Sequence, residues 1–398
     1  MTRYVLLLNS DKPEVLSALR TREDVRLRVI TRERYAHLHA GCDVAFVDSF
    51  ENLHDVERAA YELAGTGPID HVVAATEKSI AAAGLVRSLL GLPGPSFDQS
   101  LWASHKRAMK QRLRTAGLPV TDFAQAATLA RVPAAARHTG WPIMMKPVFG
   151  SGSRATYRVD TAESFLSRLA AGDFTDLAAR GTPIQVERMV RFGAEYHCDG
   201  IVRDGVVRFA ALSRYFTPPL ATPASLNGSH VVDQESPLAR GVLDLHARVV
   251  AALGLTDGVT HLEVFGTDDG PVVGEVAIRP GGLGIPRNWW HVYGIDLWDE
   301  FVRAALGEPS RLPEPSVLLE LPELAGLPRP ARQETIARTQ LPALAGVSRR
   351  AAQLPGVFEV LEPHESGTGN VEVHFAAPDP AAAADLNARL HALARPSR

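Results

Sequence analysis

The amino-acid sequence predicts an α/β (α+β) fold in which a small, doubly wound parallel-sheet lobe is followed by antiparallel sheets built from hairpins. Two patterns carry that expectation. Short apolar runs ending at polar residues alternate with amphipathic stretches through residues 1–95, whereas beyond them paired strands meet at turn residues. A third observation sets the scale. At 398 residues the chain exceeds the size at which one hydrophobic core stops growing, so two or three lobes are expected.

In the first lobe, Tyr4 to Asn9, Arg26 to Thr31, Asp43 to Asp48 and His71 to Thr76 read as parallel strands. Asn52 to Leu63 and Ser79 to Leu90 have the apolar spacing of helices that cover such a sheet. Leu92-Pro93-Gly94-Pro95-Ser96 is dense in breakers and ends the lobe ahead of a helix from Gln99 to Ala116. Further helices are expected from Gln234 to Leu253 and from His291 to Leu306. After Gly307 the chain is rich in Pro, Ala and Leu, with an alternating strand Asn370 to Phe375 and a helix Pro380 to Ala394. The expected division is therefore 1–95, then 96–306 with a small lobe at about 119–190, then 307–398.

Hydrophobic residues at 45% and charged residues at 22% are those of an ordinary folded globular protein. The formal net charge of -3 supplies no basic footprint, so no nucleic-acid partner is expected. Val5 to Leu8 is far too short for a signal-peptide core or a membrane span, and no membrane partner is expected. Two cysteines, Cys42 and Cys198, rule out a disulfide framework and suit packing roles in a reducing cytoplasm.

Three hairpins carry the chemistry. The first runs from Pro142 to Val148, through Phe149-Gly150-Ser151-Gly152-Ser153, into Arg154 to Val159. A loop of glycine and serine presents backbone N–H groups that can fold over a phosphate, and Lys146 adds a point charge. A flexible hairpin with a surface lysine is the plainer reading, and Pro147 suggests a sheet edge. The second hairpin, Ala194 to Tyr215, turns at Asp204-Gly205 and follows the strand Ile184 to Val190. Pairing Arg203 with Val206 sets Glu195 opposite Arg214, so Glu195 is either a cross-strand ion-pair partner or a ligand for ribose hydroxyls. The strand Glu187 to Val190, with Met189, would then offer backbone groups to an adenine edge.

The third hairpin joins Thr260–Gly266 to Val272–Ile278 through Thr267-Asp268-Asp269-Gly270-Pro271. Pairing Gly266 with Val272 places Glu263 opposite Glu275, while Leu262, Val264, Val276 and Ile278 face a core. Opposed like charges destabilise a strand pair unless a cation lies between them. Two carboxylates without a histidine pair or cysteine cluster suit a hard ion such as Mg2+, with Arg279 extending the same face. Two solvated glutamates flanking an arginine are the plainer reading.

Together, Lys146-Pro-Val-Phe-Gly-Ser-Gly-Ser, Glu187 with Gly193-Ala-Glu195, His261-Leu-Glu263 and Gly274-Glu275-Val-Ala-Ile-Arg279-Pro-Gly-Gly282 resemble the ATP-grasp superfamily in order and spacing. The resemblance covers essentially the whole chain and is greatest to the carboxylate-amine ligases, including L-amino acid ligases. It implies two antiparallel sheets holding ATP between them, with an acyl phosphate formed at the expense of ATP. It further implies that Lys106 and Lys146 contact phosphates, that Ser151, Gly152 and Ser153 close over them, and that Glu263 and Glu275 bind Mg2+. Arg279 would bind the acyl phosphate, making it and Lys146 the catalytic pair. Many members carry asparagine two residues after the second glutamate; this chain has Ala277. The substrate candidates are Glu77, His230, Gly282, Arg287 and Arg279, with Trp289 and Trp290 as wall or core. Small carboxylates and amines are the expected partners, and a homodimer stays open. A bicarbonate-using or nucleotide-biosynthetic relative, or an ATP-binding module without turnover, are the alternatives.

Overall fold

The computed structural model describes residues 2–9, 12–74, 76–150, 152–221, 226–312, 334–366 and 369–394. Part of the Pro-, Ala- and Leu-rich stretch, and Ser151, lie outside them.

The first sheet is parallel, in the order β3-β2-β1-β4, from β1 (Arg3–Leu8), β2 (Val25–Thr31), β3 (Asp43–Phe46) and β4 (His71–Ala74). Both faces of β1 are covered. Val5 and Leu7 pack with the helix Pro13–Arg20, while Leu6 and Leu8 pack with the helices Leu53–Gly65 and Ile80–Leu90. Burial on two sides explains why β1 is a continuous apolar run rather than an alternating one.

The single helix expected from Gln99 to Ala116 is two, Phe97–Trp102 and Lys106–Thr115. His105 restarts it, because its Nδ1 accepts the N–H of Ala108 at 3.2 Å as an N-cap. The break matters, since it makes Lys106 the first helical residue and ties its N–H to Val148 O at 2.9 Å.

A small antiparallel sheet follows in the order β5-β8-β6-β7, formed by β5 (Phe123–Ala126), β6 (Ile143–Pro147), β7 (Tyr157–Val159) and β8 (Ile184–Arg188). Pro147 therefore lies on an inner strand, not an edge strand. It is tolerated because β7 stops at Tyr157, opposite Met145, so that Pro147 has a ladder partner only in Ile184 of β8.

The third sheet has eight strands: β9 (Ala194–Arg203), β10 (Val206–Tyr215), β11 (Ser229–Val231), β12 (Gly258–Thr267), β13 (Gly270–Ala277), β14 (Thr335–Leu341), β15 (Val357–Leu361) and β16 (Val371–Ala377). Their order is β13-β12-β9-β10-β11-β14-β16-β15. The C-terminal strands extend the central sheet through β11 and β14. The helix Pro237–Leu253 packs Val242, Leu245 and Val249 against Leu262, Val264 and Val276. The helix expected from His291 to Leu306 is also two, Ile285–Tyr293 and Leu297–Ala305. Gly294 closes the first in the left-handed region, and the Asp296 side chain caps the second. Among the described residues, no helix is long and apolar enough to cross a membrane, and Cys42 and Cys198 are free thiols.

Candidate active site

A cleft of about 1240 Å3 opens between the small sheet and the eight-stranded sheet, with the loop after β4 at one end. Among its lining residues are Lys106, Lys146, Glu187, Glu263, Glu275 and Arg279. Gly152, Ser153, Met189, Val190, Glu195, Gly282 and Glu77 also reach it. These came from distant parts of the sequence, and the fold brings them to one place.

On the small-sheet wall, β6 pairs Lys146 with Gln185, so Lys146 lies diagonal to Glu187 on one face. Lys146 Nζ is 3.2 Å from Glu187 Oε1, and Lys110 Nζ is 3.6 Å from Oε2. Burial raises the Glu187 carboxyl, but Lys110 and Lys146 outweigh it and hold it below its ordinary range. Burial likewise opposes the charge of Lys146, yet Glu187 and Glu275 keep its pKa above the ordinary value. Lys110 is driven down to about 8, because burial exceeds what Glu187 returns. The Glu187 side chain thus clamps two lysines. Met189 also has its N–H committed, to Pro142 O at 2.9 Å.

The facing wall is acidic. Glu263 of β12 stands directly opposite Glu275 of β13. The register that puts them there differs from the expected one, since Gly266 pairs with Pro271 and a bulge at Gly274 restores the glutamate pair. Glycine suits that bulge because a Cβ there would lie 3.2 Å from Glu263 O. Lys106 Nζ donates to Glu275 Oε1 at 2.6 Å and to Gly150 O at 2.8 Å. Tyr215 donates its hydroxyl to Glu263 Oε1 at 3.4 Å.

Glu195 joins this wall. It does not pair with Arg214, because a second bulge, at Arg208, shifts Arg214 opposite Tyr196. Glu195 instead lies near Glu263, and burial first, then that neighbouring carboxylate, pushes it up to about 8. Two opposed hard-oxygen donors, Glu263 and Glu275, fit the donor set of Mg2+.

At the inner end, Arg279 donates Nε to Glu77 Oε2 at 2.7 Å and Nη1 to Pro280 O at 2.8 Å. Glu77 Oε1 is buried without a hydrogen-bond partner. Burial raises the Glu77 carboxyl, and Arg279 offsets only part of that. Behind the metal-fitting pair runs a polar chain that sequence reasoning missed. Asp199 Oδ2 accepts from His197 Nδ1 at 2.7 Å and from Trp289 Nε1 at 3.0 Å, and Oδ1 accepts from His261 Nδ1 at 2.8 Å. His261 Nε2 is 3.7 Å from Glu263 Oε1. Burial opposes charge on His261, but Asp199 and Glu263 raise it to about 9. The signal was present as polar residues at alternating positions, His197 and Asp199, inside a strand buried along its length.

Two substrate candidates lie elsewhere. His230 is buried on β11, with Nδ1 on Val231 O at 3.2 Å and its ring on Phe216. Arg287 pairs at the surface with Glu359, Nε to Oε2 at 2.6 Å. The helix Ile285–Tyr293 turns both Arg287 and the exposed Trp290 away from the cleft, while Trp289 is core.

No protein-family model matches the chain. Over 303 residues it is 35% identical to an L-arginine-specific L-amino acid ligase of Bacillus subtilis, covering 74% of this chain and 73% of the relative. The chain belongs to the ATP-grasp carboxylate-amine ligases. It is also 27% identical over 237 residues to a D-alanine–D-alanine ligase of Mycobacterium tuberculosis, covering 52% of this ligase and 60% of that one. An L-amino acid ligase from Bacillus licheniformis shares the fold at TM-score 0.72 and 16% identity over 98% of this ligase and 97% of that chain. A carboxyaminoimidazole ribonucleotide synthase complexed with ATP does so at TM-score 0.74 and 17% identity, over 99% and 98%. This ligase is an ATP-using enzyme that forms carbon–nitrogen amide bonds.

Proposed function

We propose that this ligase joins two amino acids through an acyl phosphate, with Mg2+ held by Glu263 and Glu275. The observation that carries the reading is the meeting of Lys106, Lys146, Glu263, Glu275 and Arg279 in one cleft. A carboxylate oxygen of the first substrate attacks the γ-phosphorus of ATP and ADP departs. The amine nitrogen of the second then attacks the acyl carbon, phosphate leaves, and the nitrogen gives up a proton.

The barrier to the first step is repulsion between two anions. Lys146 and Arg279 neutralise oxygens on the nucleotide and on the acyl side, where preorganised charge supplies most of the acceleration. When bound, Mg2+ adds charge neutralisation at the phosphates. Lys106 now holds Glu275 and would turn to phosphate as the cation takes over that carboxylate. Glu195 suits the ribose hydroxyls, because a carboxyl titrating at about 8 is protonated near neutrality and can donate as well as accept. The backbone around Val190 suits the adenine edge, and the Gly152–Ser153 turn, with both residues at positive φ, suits a phosphate cover. Glu77 Oε1 is the open acceptor for a cationic group on the carboxylate substrate.

L-Arginine with a panel of second amino acids is the first pairing to test, given the relative's specificity. ADP and phosphate should appear only when both substrates are present, with a dipeptide in the mass spectrum. AMP and pyrophosphate as products would overturn the acyl-phosphate route.

A further inference from the structure

We propose that His291, Glu359 and His374 form a zinc site that ties the C-terminal strands to the helix Ile285–Tyr293. None of the three lines the cleft, and the site stands independently of the function proposed above. One nitrogen from each histidine and an oxygen of Glu359 lie within 4.8 Å of one another. Strand register brings two of them together. A bulge at Phe358 shifts β15 by one residue, which sets Glu359 directly opposite His374 of β16. The helix lays His291 over that pair, its Nε2 2.7 Å from Glu359 Oε2 and its ring 5.0 Å from that of His374.

His374 supplies the atom that asks for a ligand. It is fully buried, and its Nε2 donates to Glu372 Oε1 at 2.7 Å, while Gln340 Nε2 fixes the other oxygen of Glu372 at 2.8 Å. With the proton on Nε2, Nδ1 carries the lone pair. That nitrogen is buried with no hydrogen-bond partner. Burial pushes the imidazole below its ordinary pKa, and Glu372 opposes this only in part, so the ring stays neutral and keeps the lone pair. An acceptor buried in that state is costly unless something electron-poor meets it. A carboxylate on the far nitrogen is also the usual outer partner of a metal-bound histidine.

Glu359 is oriented rather than consumed by its neighbours. Arg287 holds it through both oxygens, Nε on Oε2 at 2.6 Å and Nη2 on Oε1. Burial raises the carboxyl, but Arg287 and His291 outweigh it and bring it down to about 2, so it is ionised at any working pH. The Oε2 lone pair that now takes the His291 proton would pass to the ion, and that proton would leave for solvent. Donors at about 2.1 Å around a tetrahedral ion stand roughly 3.4 Å apart, so the 2.7 Å contact opens by under about 1 Å. The side chains of His291 and Glu359 are 20% and 21% exposed, which gives the ion its entry. Two imidazoles and one carboxylate are a zinc set that leaves a fourth position for water. The second histidine cluster, His197, Asp199 and His261, differs, because both ring nitrogens of His197 are engaged, by Asp199 Oδ2 and by Ser229 Oγ.

The test uses the full chain without a histidine tag, stripped of metal and free of nucleotide, titrated with Zn2+ against a chromophoric chelator. One Zn2+ should bind per chain and raise Tm, both in wild type and in Glu263→Gln/Glu275→Gln, whose cleft carboxylates are replaced. His291→Gln and Glu359→Gln should each weaken Zn2+ by about 10–100-fold or more and lose most of the rise in Tm. X-ray absorption at the zinc edge of wild type should show two imidazole nitrogens at about 2.0–2.1 Å. No stoichiometric Zn2+ would overturn the proposal, as would wild-type affinity in His291→Gln. Loss of Zn2+ in the cleft double variant would also overturn it, by placing the ion in the cleft. Fewer than two imidazoles in the wild-type spectrum would do the same even if a variant did not fold.

Discussion

The two walls of the cleft solve the burial of charge in opposite ways. On the small sheet, Glu187 is enclosed by Lys146 and Lys110 and rests below its ordinary pKa, a wall complete without ligand. On the large sheet, Glu195, Glu263 and Glu275 converge with Lys106 and His261 as the nearest cations, and Glu195 is pushed up to about 8. A buried charge with its partners in place is structure, whereas a surplus of one sign awaits an opposite charge from solution. The acidic wall is where ligand binding should alter the protein most.

Substitutions can break this contrast. The largest effect is expected for Glu275→Ala, which should lower kcat by more than about 10^3-fold while leaving the fold intact, in a coupled ADP-release assay. Arg279→Ala should follow, at about 10^2–10^3-fold in kcat, because a positive group aimed at developing charge is lost. Lys110→Met touches only the neutralised wall. It should cost about 3 kcal/mol of stability in denaturant unfolding, by leaving Glu187 one cation short. Activity loss would then track unfolding rather than ATP affinity.

The smallest effect has the opposite sign. Folded Glu195 titrates at about 8 against an ordinary 4.5, so protonation favours the folded state. That contribution is complete below about 4.5 and is gone once pH rises through about 8. Glu195→Gln should therefore flatten the fall in Tm of the ligand-free enzyme across this window and raise Tm at pH 8. Equal pH slopes for the two proteins would remove the proposed strain from the acidic wall.

Much of this was readable in the sequence, and the failures share a cause. Strand identity, hairpin turns and the opposition of Glu263 to Glu275 followed from alternation and turn chemistry. Yet the glutamate pair was reached through a wrong register that the Gly274 bulge corrected, and the Arg208 bulge undid the expected pairing of Glu195 with Arg214. A bulge is set by packing between sheets, which a single strand's pattern does not carry. Gly294 marked the second helix break openly, whereas His105 capping a helix did not stand out, because histidine seldom takes that position. The Asp199 chain links β9, β12 and the helix Ile285–Tyr293, and Glu187 serves lysines from a helix and a strand. Such partners meet only after folding. His230 and Arg287 stand out by residue type and by their place in the chain, and neither gives a side-chain direction.

On the proposed function, Glu263 and Glu275 share one cation at the nucleotide's phosphates. Calorimetric titration of Mg2+ into the ADP complex of wild type, Glu263→Gln, Glu275→Gln and the double variant measures that sharing. Each single change should weaken Mg2+ at least about tenfold, and the second should add far less once the first is made, because ligands of one ion are not independent. Wild-type Mg2+ affinity in either single variant, or losses that simply add, would contradict the account.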